Sequence, residues 1–151
     1  MTTAFVAIGG NLGDARATVL RAMDDLATLP QTRVLAQSSL YRSAPVDATG
    51  PDFINAVVAI DTGLEPHELL LELQRLELGA GRERPYRNAP RTLDLDLLLH
   101  GDEALDTPTL TLPHPRMAQR AFVLLPLAEI APERVSPAAI AQVADQPIER
   151  L

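Results

Sequence analysis

Leu93-Asp94-Leu95-Asp96-Leu97 alternates apolar and acidic residues without a break. A period of two belongs to a strand with two unlike faces. Thr92–Leu99 is therefore expected as a strand with Leu93, Leu95, Leu97 and Leu99 on one side. Asp94 and Asp96 emerge from the other side, about 7 Å apart along the backbone. Two carboxylates so close repel each other, and burial without a partner would push one toward protonation. A divalent cation removes the conflict. Magnesium prefers hard oxygen ligands, takes one or two carboxylates, and completes its shell with water and substrate phosphates. The other reading is an exposed strand face that happens to be acidic.

Thirteen prolines and eight glycines divide the rest of the chain into short segments, with no internal repeat. Ala4–Ile8 is an apolar run expected as a buried strand that enters a tight turn at Gly9-Gly10. Asp14 can cap a helix in which Val19, Leu20, Met23 and Leu26 recur at helical spacing, before Pro30 closes it. Val34–Tyr41 and Phe53–Ile60 have strand composition. Pro66 suits the first turn of a second helix, whose apolar face is Leu69, Leu70, Leu73 and Leu76, with Gly79 and Gly81 ending it. The order strand-helix-strand-strand-helix-strand predicts an α+β, ferredoxin-like split βαβ core, two helices covering one face of an antiparallel sheet. Leu105–Leu112 is expected as a hairpin, followed by short, proline-broken helices. No linker divides the chain, so residues 1–151 are expected as a single domain.

The cations carry a second constraint. All 13 basic residues are arginine, and cysteine and tryptophan are also absent. A chain without lysine has no Walker A loop and no Schiff-base chemistry. A chain without cysteine has no thiol nucleophile, zinc-thiolate site or disulfide. The formal net charge of −7 argues against a nucleic-acid or anionic-membrane partner. No apolar run approaches the roughly 18–20 residues of a membrane span, and Met1-Thr2-Thr3 lacks the basic stretch of a signal peptide. A cytoplasmic protein is expected and, with no spare apolar element, a monomer.

Arg82, Arg84, Arg87 and Arg91 fall within ten residues, opposed only by Glu83. Arginine forks match phosphate oxygens; the alternative is a solvated loop whose arginines pair with surface carboxylates. Beside Asp94 and Asp96, this loop suggests a metal–polyphosphate site. A further patch, His114-Pro115-Arg116 with Arg120 and Phe122, could donate to a phosphate. His67 and His100 are read as structural. Gly9-Gly10-Asn11-Leu12-Gly13 precedes a helix as phosphate loops do, but Ile8 stands where the first glycine of a dinucleotide fingerprint belongs, so a structural turn is expected. Phe53, Phe122 and Asn55 could serve a flat heterocycle, with rings on its faces and an amide on its edge.

The segment Arg87-Asn88-Ala89-Pro90-Arg91-Thr92-Leu93-Asp94-Leu95-Asp96-Leu97-Leu98 resembles the signature of the 6-hydroxymethyl-7,8-dihydropterin pyrophosphokinase family of folate biosynthesis. Ala7–Gly13, Ser39–Pro45, Pro51–Ala56 and Leu112–Pro115 resemble further family blocks in order and spacing, up to about Pro132. The resemblance implies a ferredoxin-like core and transfer of pyrophosphate from ATP, the co-substrate, to the pterin's hydroxymethyl group, leaving AMP. It implies that Asp94 and Asp96 hold two Mg2+ ions on the triphosphate, and that Arg82 and Arg91 neutralise phosphate charge. Gln74, Glu77, Arg84, Arg87, Leu97, Thr111, His114 and Arg120 match nucleotide-side positions. Ser43, Ala44, Val46, Phe53, Asn55 and Phe122 match pterin-side positions.

The chain departs from the family pattern in four places. Asn88 stands where many relatives carry tryptophan, with Tyr86 nearby; Pro115 and Thr109 replace a tyrosine and an arginine found in some members, and Phe53 replaces a common tyrosine. Two other functions fit the residues: another two-metal phosphoryl or nucleotidyl transferase, and a non-catalytic small-ligand sensor, since a fold does not fix a function.

Overall fold

The computed structural model describes residues 1–45, 50–80 and 93–151. Along the chain run β1 (Thr2–Gly10), α1 (Ala15–Leu26), β2 (Thr32–Gln37), β3 (Tyr41–Ser43), β4 (Phe53–Thr62), α2 (Pro66–Gly79) and β5 (Asp94–His100). The short pair β6 (Leu105–Asp106) and β7 (Thr111–Leu112) follows, then a 3-10 turn at Met117–Gln119, α3 (Ala121–Ile130), α4 (Pro137–Gln142) and β8 (Ile148–Arg150). The main sheet has the order β5-β1-β4-β3-β8, with β2 also paired to β4, and every pairing is antiparallel. Among the described residues, β6 and β7 pair only with each other. No described helix is long and apolar enough to cross a membrane.

Alternation along the strands separates two faces. Ala4, Val6 and Ile8 of β1, Ile54, Ala56, Val58 and Ile60 of β4, and Leu95 and Leu97 of β5 join one core with α1 and α2. α1 begins at Asp14, whose carboxylate accepts from Ala17 N at 3.1 Å, and buries Val19, Met23 and Leu26. Leu20 is not on that face: 46% of it is exposed, because the helix turns it away from the sheet. α2 starts with a capping box between Glu65 and Glu68 and has Pro66 in its first turn. Its Leu69 and Leu73 are wholly buried, while Leu70 and Leu76 pack at the margin. Truncating a leucine in such a place to alanine costs about 2–5 kcal/mol.

Three further local expectations change in the structure. Gly9 and Gly10 do not turn; they continue β1 opposite Asn55 and Ile54, and the turn comes at Gly13, whose φ of +57° suits glycine. Val34–Tyr41 is two strands, because Ser38 and Ser39 interrupt it. The Ser38 hydroxyl accepts from Val57 N at 2.9 Å, and Ser39 N donates to the Glu129 carboxylate instead of to β4. Leu99 does not share a side with Leu93, Leu95 and Leu97. Phe5 pairs with Leu99 and Val6 with Leu97, so Leu98 is the extra residue of a β-bulge that moves Leu98 and Leu99 to the opposite face. The opposite face carries a helix of its own. α3 lies on it, packing Val123 and Leu127 against Phe5, Val57, Ala59 and Leu98.

Candidate active site

α3 covers only part of its face. The remainder is a cavity of about 620 Å³ whose floor is Ala7 and Gly9 of β1. Asp94 and Asp96 of β5 stand on one side of that floor; Phe53 and Asn55 of β4, with Ser43 and Ala44, stand on the other. Arg116, Gln119, Arg120, Phe122 and Gln146 form the remaining wall.

The ladder register explains the juxtaposition. Gly9 is opposite Asn55 on one side and Asp94 on the other, and Ala7 is likewise flanked by Val57 and Asp96. Directly opposed residues put their side chains on the same face, so two small residues leave room between an amide and two carboxylates. A Cβ built on Gly9 would lie 3.3 Å from Asn55 Oδ1. Asn55 is buried and its Nδ2 donates to the equally buried Ser43 Oγ at 2.7 Å. This bond orients the amide from the β3 side.

On the opposite wall, the Arg120 guanidinium sits 5.4 Å from the centre of the Phe122 ring, within cation–π range. His114 anchors the preceding segment by donating its backbone N–H to Leu98 O at 2.9 Å, and its Nδ1 accepts from Arg116 N at 3.2 Å. Burial, then the charges of Arg120 and Arg116, push the imidazole pKa below its ordinary value, with Asp94 opposing them. A neutral ring accepting at Nδ1 carries its proton on Nε2.

Of the residues singled out from sequence for chemistry, the cavity brings together Ser43, Ala44, Phe53, Asn55, Asp94, Asp96, Arg116, Arg120 and Phe122. Five others lie outside its lining. Glu77 is buried beneath β5, where its Oε2 accepts from Leu95 N at 2.9 Å; this bond holds the strand between the two aspartates. Leu97 is in the α1/α2 core, Gln74 is exposed on α2, Thr111 pairs with Asp106, and His114 is half-buried with its Nδ1 on Arg116 N. Arg82, Arg84, Arg87, Arg91 and Val46, with Tyr86 and Asn88, lie outside the described residues. His67 Nε2 is 3.3 Å from Thr107 Oγ1, and the buried His100 Nε2 is 2.8 Å from Leu64 O.

Among the lining residues, Gly9 is read from sequence only as part of a turn, and Gln119 and Gln146 are not singled out at all. Gly9 carries a signal, a glycine inside an apolar strand, which often marks close approach to another group. Gln119 and Gln146 carry none, being polar residues in proline-broken segments.

The family model for 7,8-dihydro-6-hydroxymethylpterin-pyrophosphokinase (HPPK) matches residues 5–132. The chain belongs to the HPPK family. Among HPPK relatives, the 2-amino-4-hydroxy-6-hydroxymethyldihydropteridine pyrophosphokinase of Pseudomonas aeruginosa is 50% identical over 130 residues, covering 85% of this chain and 80% of its own. The protein of the same name from Methylorubrum extorquens is 45% identical over 136 residues, covering 89% and 86%. Among solved structures, a Plasmodium falciparum HPPK-DHPS chain superposes with a TM-score of 0.67 at 15% identity, over 88% of this chain. An HPPK-DHPS complex with substrates gives 0.69 at 14% identity, over 87%. These two likenesses concern the fold alone, and this chain spans only 40% of the length of each of those chains.

Proposed function

We propose that this protein transfers pyrophosphate from ATP to the hydroxymethyl group of 6-hydroxymethyl-7,8-dihydropterin, releasing AMP, a step of folate biosynthesis. The observation that carries this reading is a single cavity with paired carboxylates at one end and a ring-and-amide pocket at the other. Family membership and the printed names of the relatives support the same activity.

In this reading Phe53 and Phe122 stack on the pterin faces, Asn55 reads its edge, and Ser43, Ala44 and Val46 supply the adjoining rim. Arg120 and the Nε2–H of His114 bind phosphate oxygens, while Arg82, Arg84, Arg87 and Arg91 complete the positive field. Gln74, Glu77, Leu97 and Thr111 belong to the nucleotide side, with Glu77 acting through the strand it holds.

Asp94 and Asp96 suit Mg2+ by donor type. Both are half-buried carboxylates on one strand face, and among the described residues no group of three or more acidic or histidine ligands forms a closed cage. An open two-carboxylate set leaves positions for water and phosphate oxygens. The two ions, when bound, supply Lewis-acid neutralisation of triphosphate charge. We further read the order β5-β1-β4 with β2 and β3 as a ferredoxin-like core with a small hairpin after it, and the chain as one domain, monomeric and cytoplasmic.

Incubation with ATP, Mg2+ and hydroxymethyl-dihydropterin tests the reading through its nucleotide product. AMP with a diphosphorylated pterin is expected. ADP would instead mark an ordinary kinase, and pterin binding without turnover a small-ligand sensor.

A further inference from the structure

The residues after 132 lie beyond the family match, yet they reach the site. Val143 packs with Ala121 and Leu124 in a small core of their own, and β8 pairs with β3 so that Ile148 is opposite Ser43. Between these two anchors, Gln146 turns its amide onto the start of α3. Its Oε1 accepts from Ala121 N at 2.9 Å, and its Nε2 donates to Gln119 O at 2.8 Å.

Those two backbone groups bracket Arg120, which joins the 3-10 turn to α3 in an extended conformation (φ −124°, ψ 112°). A helix start leaves its first N–H groups without helical acceptors, and Arg120, at the cap position, offers no side-chain bond of its own. The cap for α3 therefore comes from Gln146. The same side chain lines the main cavity and stands where a smaller recess of about 210 Å³, bounded by Pro45, Ala121 and Pro147, meets it.

We propose that Gln146 is a positioning residue for the site. One planar amide grips both sides of Arg120 and so sets the directions in which the Arg120 and Phe122 side chains leave the backbone. Glutamine suits the task because it presents an acceptor and a donor together. Glutamate keeps only the acceptor, and methionine fills similar space with neither. The inference rests on the reading of the cavity as a pterin–ATP site.

The test compares wild type, Gln146→Met and Gln146→Glu by steady-state kinetics, by direct binding of the pterin and of ATP, and by thermal unfolding. Gln146→Met is expected to raise the KM of both substrates, the pterin's by about tenfold, the scale of one lost hydrogen bond. The kcat should change by less than about threefold. Gln146→Glu, which still caps Ala121, should recover part of the loss. A purely structural glutamine would lower the unfolding midpoint and the active fraction but leave both KM values at wild type, which overturns the proposal. Should Gln146→Met fail to fold, a wild-type pterin KM in Gln146→Glu overturns it equally. If the wild-type protein binds both ligands without turnover, the pyrophosphokinase reading fails while Gln146 is still judged by its effect on binding. If it binds neither, both readings fall.

Discussion

The two faces of the sheet are built from the same three strands and follow opposite rules. The face under α1 and α2 is filled mainly by Val, Ile and Leu, and its buried polar side chains, Glu77 and His100 among them, serve backbone groups: Glu77 accepts from Leu95 N, and His100 Nε2 lies 2.8 Å from Leu64 O. The other face is apolar only where α3 covers it; beyond α3 it presents Gly9, Asn55, Asp94 and Asp96 to a cavity. Alternation makes this division possible, because successive residues of one strand serve opposite faces. Leu95 anchors the strand in the core while its two neighbours are acidic. Stability and chemistry can thus be altered separately in residues that touch along the backbone.

The sharpest separation should come from Asp96→Ala. Turnover is expected to fall on the order of a thousandfold, the scale of losing a main electrostatic contributor, with pterin affinity and the unfolding midpoint near wild type. Turnover unchanged from wild type would remove the carboxylate pair from the mechanism. The reverse pattern is expected for Leu73→Ala, one helix away on the other face. Its unfolding free energy should drop by about 2–5 kcal/mol in denaturant titration, with both KM values intact. A KM effect there would show that the faces are coupled after all.

Gly9→Ala probes the floor itself. The added methyl, 3.3 Å from Asn55 Oδ1, must displace the amide, so the pterin KM should rise roughly tenfold, while stability stays within about 1 kcal/mol. An unchanged KM would exclude Asn55 from ring recognition.

The smallest effect belongs to the β3–α3 junction, outside the cavity. Glu129 accepts from Ser39 N, Ser39 Oγ and Tyr41 OH, and meets Arg150 at 3.4 Å. Burial opposes its charge, but these hydrogen bonds and Arg150 outweigh burial and hold its pKa below the ordinary value. Burial, then the Glu129 bond, pushes Tyr41 up to about 12. A carboxyl with a depressed folded pKa adds stability above its unfolded pKa and loses it as pH falls through the folded value. The tyrosine acts in the opposite sense, its contribution being present below pH 10 and lost between about 10 and 12. Unfolding midpoints measured against pH should therefore decline at both ends. Glu129→Gln should flatten the acidic limb; an identical acidic limb would show that the carboxylate adds nothing to the junction.

What was legible in the chain follows the range of each signal. The alternation around Asp94, the Asp14 cap and the Pro66 helix start are local devices, and each stands where its own neighbours place it. The bulge at Leu98 is invisible because Leu98 is the middle of three consecutive leucines, Leu97–Leu99, and either phase of the strand satisfies a leucine. The break between β2 and β3 depends on Glu129, ninety residues from Ser39. Gln146 lies further out of reach still, since its meaning rests on two backbone groups of another segment and no property of glutamine announces them. Glu77 is a case between the two: its place on α2 is readable, its bond to Leu95 is not.

The pairing of β4 has a consequence in time. Within the described residues it is the partner of β1 along one edge and of β2 and β3 along the other. No described strand in the first fifty residues pairs with another from that stretch. As the chain grows from its N-terminus, β1, β2 and β3 are made before any sheet can exist, and the arrival of Phe53–Thr62 lets the three of them pair at once.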